Sequence, residues 1–237
     1  MNRSNFHLQW TFGGRLTPMV KSLLVINCVV FLLQLIFEQW VGLDPSLIFG
    51  LVPYQVTHRF YFWQVITYMF LHGHLMHLLF NMLVLWMLGS EIEERVFWAR
   101  GFLKYYLICG VGAGIFNILF SWNSPVPIIG ASGAIYGILV AYAVFFGNRQ
   151  LILFPFPMLI RAKVLILIIL AVEFISSIFY TTDGVAHMAH LGGMVVGYLY
   201  IRYKLKGPPG VMRWVTGIFR RKRRSFTIID GGRSGNA

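Results

Sequence analysis

Lys and Arg are concentrated in alternate gaps along this chain, and that distribution constrains the fold more than any single motif. Six apolar stretches, at residues 20–37, 74–89, 102–122, 132–146, 164–180 and 185–203, are separated by segments of very unequal charge. Arg3, Arg15 and Lys21 stand at the start of the first. Arg95, Arg100 and Lys104 lie between the second and third, and Arg149, Arg161 and Lys163 between the fourth and fifth. Arg202, Lys204, Lys206 and a basic tail close the sixth, whereas the opposite loops hold Arg59 alone. Lys and Arg mark the cytoplasmic side of a membrane, and about 20 apolar residues span its hydrocarbon as a helix. Composition agrees: 57% of residues are hydrophobic and 12% charged, against about 25% charged in a soluble domain. The expected fold is an all-α membrane protein, a six-transmembrane-helix bundle with both termini cytoplasmic.

Organisation follows. Residues 1–18 form a cytoplasmic lead-in, 19–206 the bundle, and 207–237 a basic tail whose Gly, Pro, Ser and Asn content reads as disordered. The lead-in lacks the apolar block and small-residue site of a cleavable signal peptide, so the first helix is expected to insert on its own. This fits a bacterial cytoplasmic membrane. The outer loop at residues 38–71 is aromatic, and its run Phe60-Tyr61-Phe62-Trp63 is expected at headgroup level. Pro155 and Pro157 break the link before the fifth helix. Cys28 and Cys109 fall inside spans, where a thiol behaves as a small buried hydrophobe. The net charge of +12 is spread over several cytoplasmic segments, which argues against nucleic acid as a partner. The run Arg220-Arg221-Lys222-Arg223-Arg224 either fixes topology alone or also grips anionic lipid, at about 1 kcal/mol per basic residue. No repeat or heptad fixes an oligomeric state.

Three even-numbered spans open with polar side chains on the outer side. The second opens with His72, His74, His77 and Asn81, the fourth with Ser132, and the sixth with His187 and His190. Polar groups at membrane depth face a cavity or a partner, so these openings are expected to converge. His77 and Asn81, four apart, share a helix face. Gly133 and Gly137 in the fourth span, and Gly193 and Gly197 in the sixth, are small residues at a spacing that lets helices approach closely. Ser132 adjoins the first pair and His190 lies three residues before the second. Close contact there brings a hydroxyl to an imidazole, the requirement for nucleophilic acyl transfer. Ser132 would attack, His190 would carry the proton, and Asn81, His77 and the Ser132 backbone N–H would receive the oxyanion. No carboxylate adjoins these positions in sequence, and Asp183 is two turns short of His190. The expected arrangement is a Ser–His dyad, with mid-span Glu173 noted as an intramembrane carboxylate outside the site.

The sequence resembles the rhomboid family of intramembrane serine proteases over nearly all of the six-helix region. The matching pieces are Trp63-Gln64-Val65-Ile66-Thr67 with Phe70-Leu71-His72; His72, His77 and Asn81-Met82; Gly130-Ala131-Ser132-Gly133; and Ala189-His190-Leu191-Gly192-Gly193. The resemblance implies Ser132 as nucleophile, His190 as base, and His77 with Asn81 at the oxyanion. It also implies that Tyr136 packs on the imidazole, that Gly130, Gly133 and Gly193 support the site, and that Glu94 matches an acidic residue of the link after the second helix. Transmembrane protein substrates, entering from the bilayer past the fifth helix and cut near the outer leaflet, are implied likewise. Two positions depart from the family: Gln64 stands where arginine is common, and Trp98 falls near a usual glycine.

Two other classes compete. A metal-handling protein would use His74/His77 and His187/His190, but no carboxylate or cysteine adjoins them and no HExxH pairing occurs. A catalytically dead, substrate-binding relative is disfavoured by the intact Ser132 and His190. No cofactor is expected.

Overall fold

The structure, a computed structural model, describes residues 15–153, 158–179 and 187–206. The first part of the lead-in, Pro155, Pro157, Asp183 and the basic tail lie outside the described residues. Contacts divide the chain into a unit ending at Ile201 and a second from Arg202 onward, of which only the last turn of the final helix is described.

Helix α1 (Pro18–Val41) begins with proline in its first turn and ends at Gly42 in the left-handed region, whose N–H returns to the Glu38 carbonyl. It buries Val20, Leu23, Asn27, Phe31 and Gln34, a stripe at helical spacing. Val25, Ile26, Val29, Leu32, Leu33 and Ile36 remain exposed, an apolar face of the kind that a bilayer covers. Cys28 belongs to that exposed face, contrary to the expected burial, while Cys109 is buried. The start of α1 is fastened from far along the chain. Glu93 accepts hydrogen bonds from the Thr17 hydroxyl (2.5 Å) and from the backbone N–H groups of Met19 (3.0 Å) and Val20 (2.8 Å). A carboxylate there meets the unpaired first-turn N–H groups of a helix. The engaged residue is thus Glu93; Glu94 is exposed.

The outer loop folds into α2 (Ser46–Phe49), α3 (Pro53–Arg59), α4 (Gln64–Thr67) and a 3₁₀ turn at Tyr68–Phe70. Gln64 is fully buried at its hub: it accepts from the Val52 N–H (3.1 Å) and donates to the Ile48 carbonyl (3.2 Å) and to Gln55 Oε1 (2.7 Å). An amide carries this junction without an arginine. Phe60, Phe62 and Trp63 are exposed.

A continuous helical arm follows: α5 (Leu75–Val84), a π-type turn at Leu85–Gly89, α6 (Ser90–Ile92) and a second π-type turn at Glu93–Phe97. The chain then turns back as α7 (Trp98–Phe120). Phe102 lies against Gly89, whereas Gly110 lies against Met69 and Gly114 against Tyr68, so the two arms run antiparallel. Trp98 takes φ 57° and ψ 166°, a conformation tolerated essentially only by glycine, and its side chain is 77% exposed. Trp98→Gly is expected to stabilise the protein by about 1 kcal/mol, raising the unfolding temperature in detergent by about 2–4 °C. A lower temperature would mean that indole contacts outweigh the strain.

Helix α8 (Ser132–Phe146) is buried nearly all round, from Gly133 to Tyr142, and so forms the centre of the bundle. The link after it is not purely helical, as an all-α fold would require. Strands β1 (Gln150–Leu153) and β2 (Met158–Arg161) pair antiparallel, Gln150 opposite Arg161 and Leu153 opposite Met158. Two short runs of Leu, Ile and Met between Gly147 and Ala162 are too brief for a helix yet long enough for a ribbon. Helices α9 (Ala162–Phe179) and α10 (His187–Lys206) complete the fold. At both ends of α9 and at the start of α10 the helical residues lie within a few positions of the apolar stretches read from sequence.

Candidate active site

Ser132 opens α8 because the preceding turn is sharp. Gly130 has φ +126°, a conformation that L side chains rarely adopt, and its N–H donates to the Tyr68 carbonyl (2.9 Å). Just upstream, Leu51 and Ile128 pair through both N–H groups at 2.9 Å, fixing the turn to the outer loop. Ser132 is half-buried. His190 lies in the first turn of α10 and is 9% exposed. The two helices meet on glycine: a Cβ at Gly193 would overlap the Gly133 carbonyl, and one at Gly197 would lie 2.9 Å from the Gly137 Cα. That approach sets Ser132 Oγ 2.7 Å from His190 Nε2. Tyr136, one turn into α8, stacks on the imidazole with centroids 4.4 Å apart and 22° between planes.

The histidine has a further partner that reading along the sequence left out of the site. Glu173 Oε1, on α9, lies 2.6 Å from His190 Nδ1 and 2.6 Å from His187 Nδ1, while Tyr136 donates its hydroxyl to Oε2 at 3.0 Å. The pair expected from sequence is therefore, in this structure, a serine, a histidine and a carboxylate in series. The signal was available: an ionisable residue in an apolar span is a functional suspect by default. Depth would have placed it. Glu173 precedes the end of α9 by six residues, roughly 9 Å along the axis, within about one helical turn of the levels of Tyr136, about 6 Å into α8, and His190, about 4.5 Å into α10.

On the other side of Ser132 stand the residues expected at the oxyanion. His77 packs against Gly130: a Cβ there would lie 2.8 Å from His77 Cε1 and Nε2 and 3.7 Å from Ser132 Oγ. Asn81, one turn further along α5, is 7% exposed, and its Nδ2 has no hydrogen-bond partner among the described residues. A buried donor without an acceptor is costly. The first-turn N–H of Ser132 has no acceptor within its helix either. His74 caps α5, accepting the His77 N–H at Nδ1 (3.1 Å). His72 is 1% exposed with its ring 5.1 Å from that of His77, and its backbone N–H donates to Gln34 Oε1 of α1 (3.0 Å).

Glu173, His187 and His190 also bring three ligand-type atoms within 4.8 Å of one another. Two of the separations are 2.6 Å, which is hydrogen-bond contact; ligands around a tetrahedral zinc at 2.0–2.1 Å stand about 3.3 Å apart. The spacing fits shared protons better than a shared ion.

A family model described as the Rhomboid domain matches residues 59–207. The chain belongs to the rhomboid family. Every residue of the site lies within that rhomboid domain. Among similar proteins, the rhomboid protease GluP of Bacillus subtilis is 33% identical over 57% of this chain and 25% of its own length. The rhomboid protease AarA of Providencia stuartii is 28% identical over 78% of this chain and 74% of its own. Rhomboid protein 1, mitochondrial, of Saccharomyces cerevisiae is 28% identical over 77% and 52%. The chain thus spans from a quarter to three quarters of the length of these relatives.

Proposed function

We propose that this rhomboid is an intramembrane serine endopeptidase that cleaves transmembrane protein substrates near the outer leaflet. The observation that carries the reading is the 2.7 Å contact between Ser132 Oγ and His190 Nε2 at the mouth of two apolar helices. Six spans with both termini cytoplasmic, as the Lys and Arg distribution implies, put that mouth on the outer side. Helix length is compatible with that depth: the 15 residues of α8 cover about 22 Å, short of the roughly 30 Å of hydrocarbon, so at least one of its ends would lie beneath the surface, and its polar first turn is the end this reading assigns.

The chemistry follows from the geometry. His190 Nε2 takes the Ser132 proton as Oγ attacks the scissile carbonyl, and the carbonyl oxygen becomes an oxyanion. The Ser132 N–H, Asn81 Nδ2 and His77 are its donors, each worth about 2.7–4 kcal/mol in the transition state. His190 then gives its proton to the leaving amine as the carbon–nitrogen bond breaks, leaving an ester on Ser132. Water attacks that ester, losing its proton to His190, and the serine is restored. A substrate helix must unwind locally first, because its carbonyls are otherwise held in its own hydrogen bonds, which favours helices rich in small or helix-weakening residues.

The test uses purified protein in detergent. A fluorophosphonate is expected to label one residue, mapped by peptide mass to Ser132, and labelled transmembrane peptides to be cut. Adduct formation elsewhere, or cleavage that persists with Ser132 fully modified, would overturn the reading.

A further inference from the structure

We infer that Glu173 is a positioning residue for the same chemistry, holding His190 in the tautomer that can deprotonate Ser132. This rests on the proteolytic reading above and extends it beyond a two-residue mechanism.

The argument is one of proton accounting. Three groups converge on the carboxylate: His190 Nδ1 and His187 Nδ1 on Oε1, both at 2.6 Å, and the Tyr136 hydroxyl, which donates to Oε2 at 3.0 Å. An ionised carboxylate accepts only. His190 must therefore carry its proton on Nδ1, which leaves the Nε2 lone pair facing the Ser132 hydroxyl at 2.7 Å. In the other tautomer the Nδ1 lone pair would face a carboxylate oxygen at hydrogen-bond distance, and Nε2–H could not serve as base. When His190 takes the serine proton, both ring nitrogens carry hydrogen, and the adjacent anion stabilises the imidazolium.

The carboxylate is itself held in place. Tyr136 of α8 and His187 of α10 engage its two oxygens, and Glu173 is 8% exposed. Tyr136 acts twice, lying flat on the imidazole and donating to the group that orients it. Buried networks whose members are all satisfied are rigid, and rigidity is what an orienting group must supply. A purely structural role, a tie between α9 and its neighbours, is the alternative.

Two substitutions separate them. Glu173→Gln keeps the shape of the side chain and removes the charge, and its amide can present N–H to Nδ1, favouring the wrong tautomer. Glu173→Asp shortens the side chain and keeps the charge. An orienting role predicts a kcat for the Gln variant lower by at least about 10²-fold with KM little changed, as when an orienting carboxylate becomes an amide elsewhere. Fluorophosphonate labelling should slow in parallel, and Glu173→Asp should retain more activity than Glu173→Gln. A structural tie predicts the reverse order, with losses that track the unfolding temperature; that order, or a Gln variant with parental kcat, would overturn the inference. Should Glu173→Gln fail to fold, Tyr136→Phe decides. It removes the Oε2 hydrogen bond and keeps the ring stack, and is expected to lower kcat about five- to tenfold, on the scale of one hydrogen bond; an unchanged kcat would count against the orienting role. Ser132→Ala, run alongside, distinguishes the failures. Cleavage by that variant would end the proteolytic reading and this inference together, whereas inactive Ser132→Ala beside fully active Glu173→Gln would end the inference alone.

Discussion

Alanine at Ser132, at His190, or at both is expected to leave the same trace of cleavage. Hydroxyl and imidazole are 2.7 Å apart, and in the proposed mechanism they share one proton, so either would be inert without the other: the serine would have no base, or the base no nucleophile. In serine proteases the loss from removing one such member is around 10⁶-fold in kcat, and removing the second costs almost nothing more. The measurement is a double-mutant comparison on one labelled transmembrane peptide in detergent, with the unfolding temperature of each variant as a control. Residual cleavage should come from binding and oxyanion donors alone. A double variant far slower than either single one would mean that the two side chains act in separate steps, and the shared-proton mechanism would have to be abandoned.

Much of the geometry of this candidate site was legible because helical spacing carries it. His77 with Asn81, and Gly133 and Gly137 against Gly193 and Gly197, repeat at the four-residue interval that marks one helix face, and positions along the apolar stretches fixed their common level. The elements that escaped are held by partners distant in the chain. Glu173 meets His187 and His190 from 14 and 17 residues away on another helix, and no local pattern records which way a lone carboxylate turns. Glu93 serves the start of α1 from 73 to 76 residues downstream. Its neighbour Glu94 is equally acidic, and a step of one residue rotates a side chain by about 100° around the axis, which a motif match does not resolve. The short helices of the outer loop, four to seven residues each, are below the length at which helix formation sustains itself. Gln64 and the Leu51–Ile128 pair hold them in place, and those contacts exist only in three dimensions. The β ribbon was missed for the same reason: four-residue strands stand on pairing rather than on periodicity.

The contact between α8 and α10 invites the second large effect, from a single methyl group. Gly193→Ala places a Cβ within the Gly133 carbonyl, and the obstructing atoms are backbone, so no side-chain rotation can relieve the clash. The helices must separate or tilt, at the cost of overpacking, about 1–3 kcal/mol and at the upper end here because backbone must yield. Activity should suffer more than stability. Displacement of even 1 Å at the mouth of these helices lengthens the Ser132–His190 hydrogen bond beyond useful reach, and misplacement on that scale costs about 10²-fold in rate. Gly73→Ala is the control, since its Cβ would meet only Ile129 Cδ1 at 3.7 Å, ordinary contact, and a change without strain or cavity stays within about 0.5 kcal/mol. Cleavage rate and unfolding temperature measured on both variants give the answer. If Gly193→Ala cleaves at the parental rate, the glycine contact does not set the distance between hydroxyl and imidazole, and some other restraint, with Tyr136 stacked on the ring as the first candidate, must hold the two helices in register.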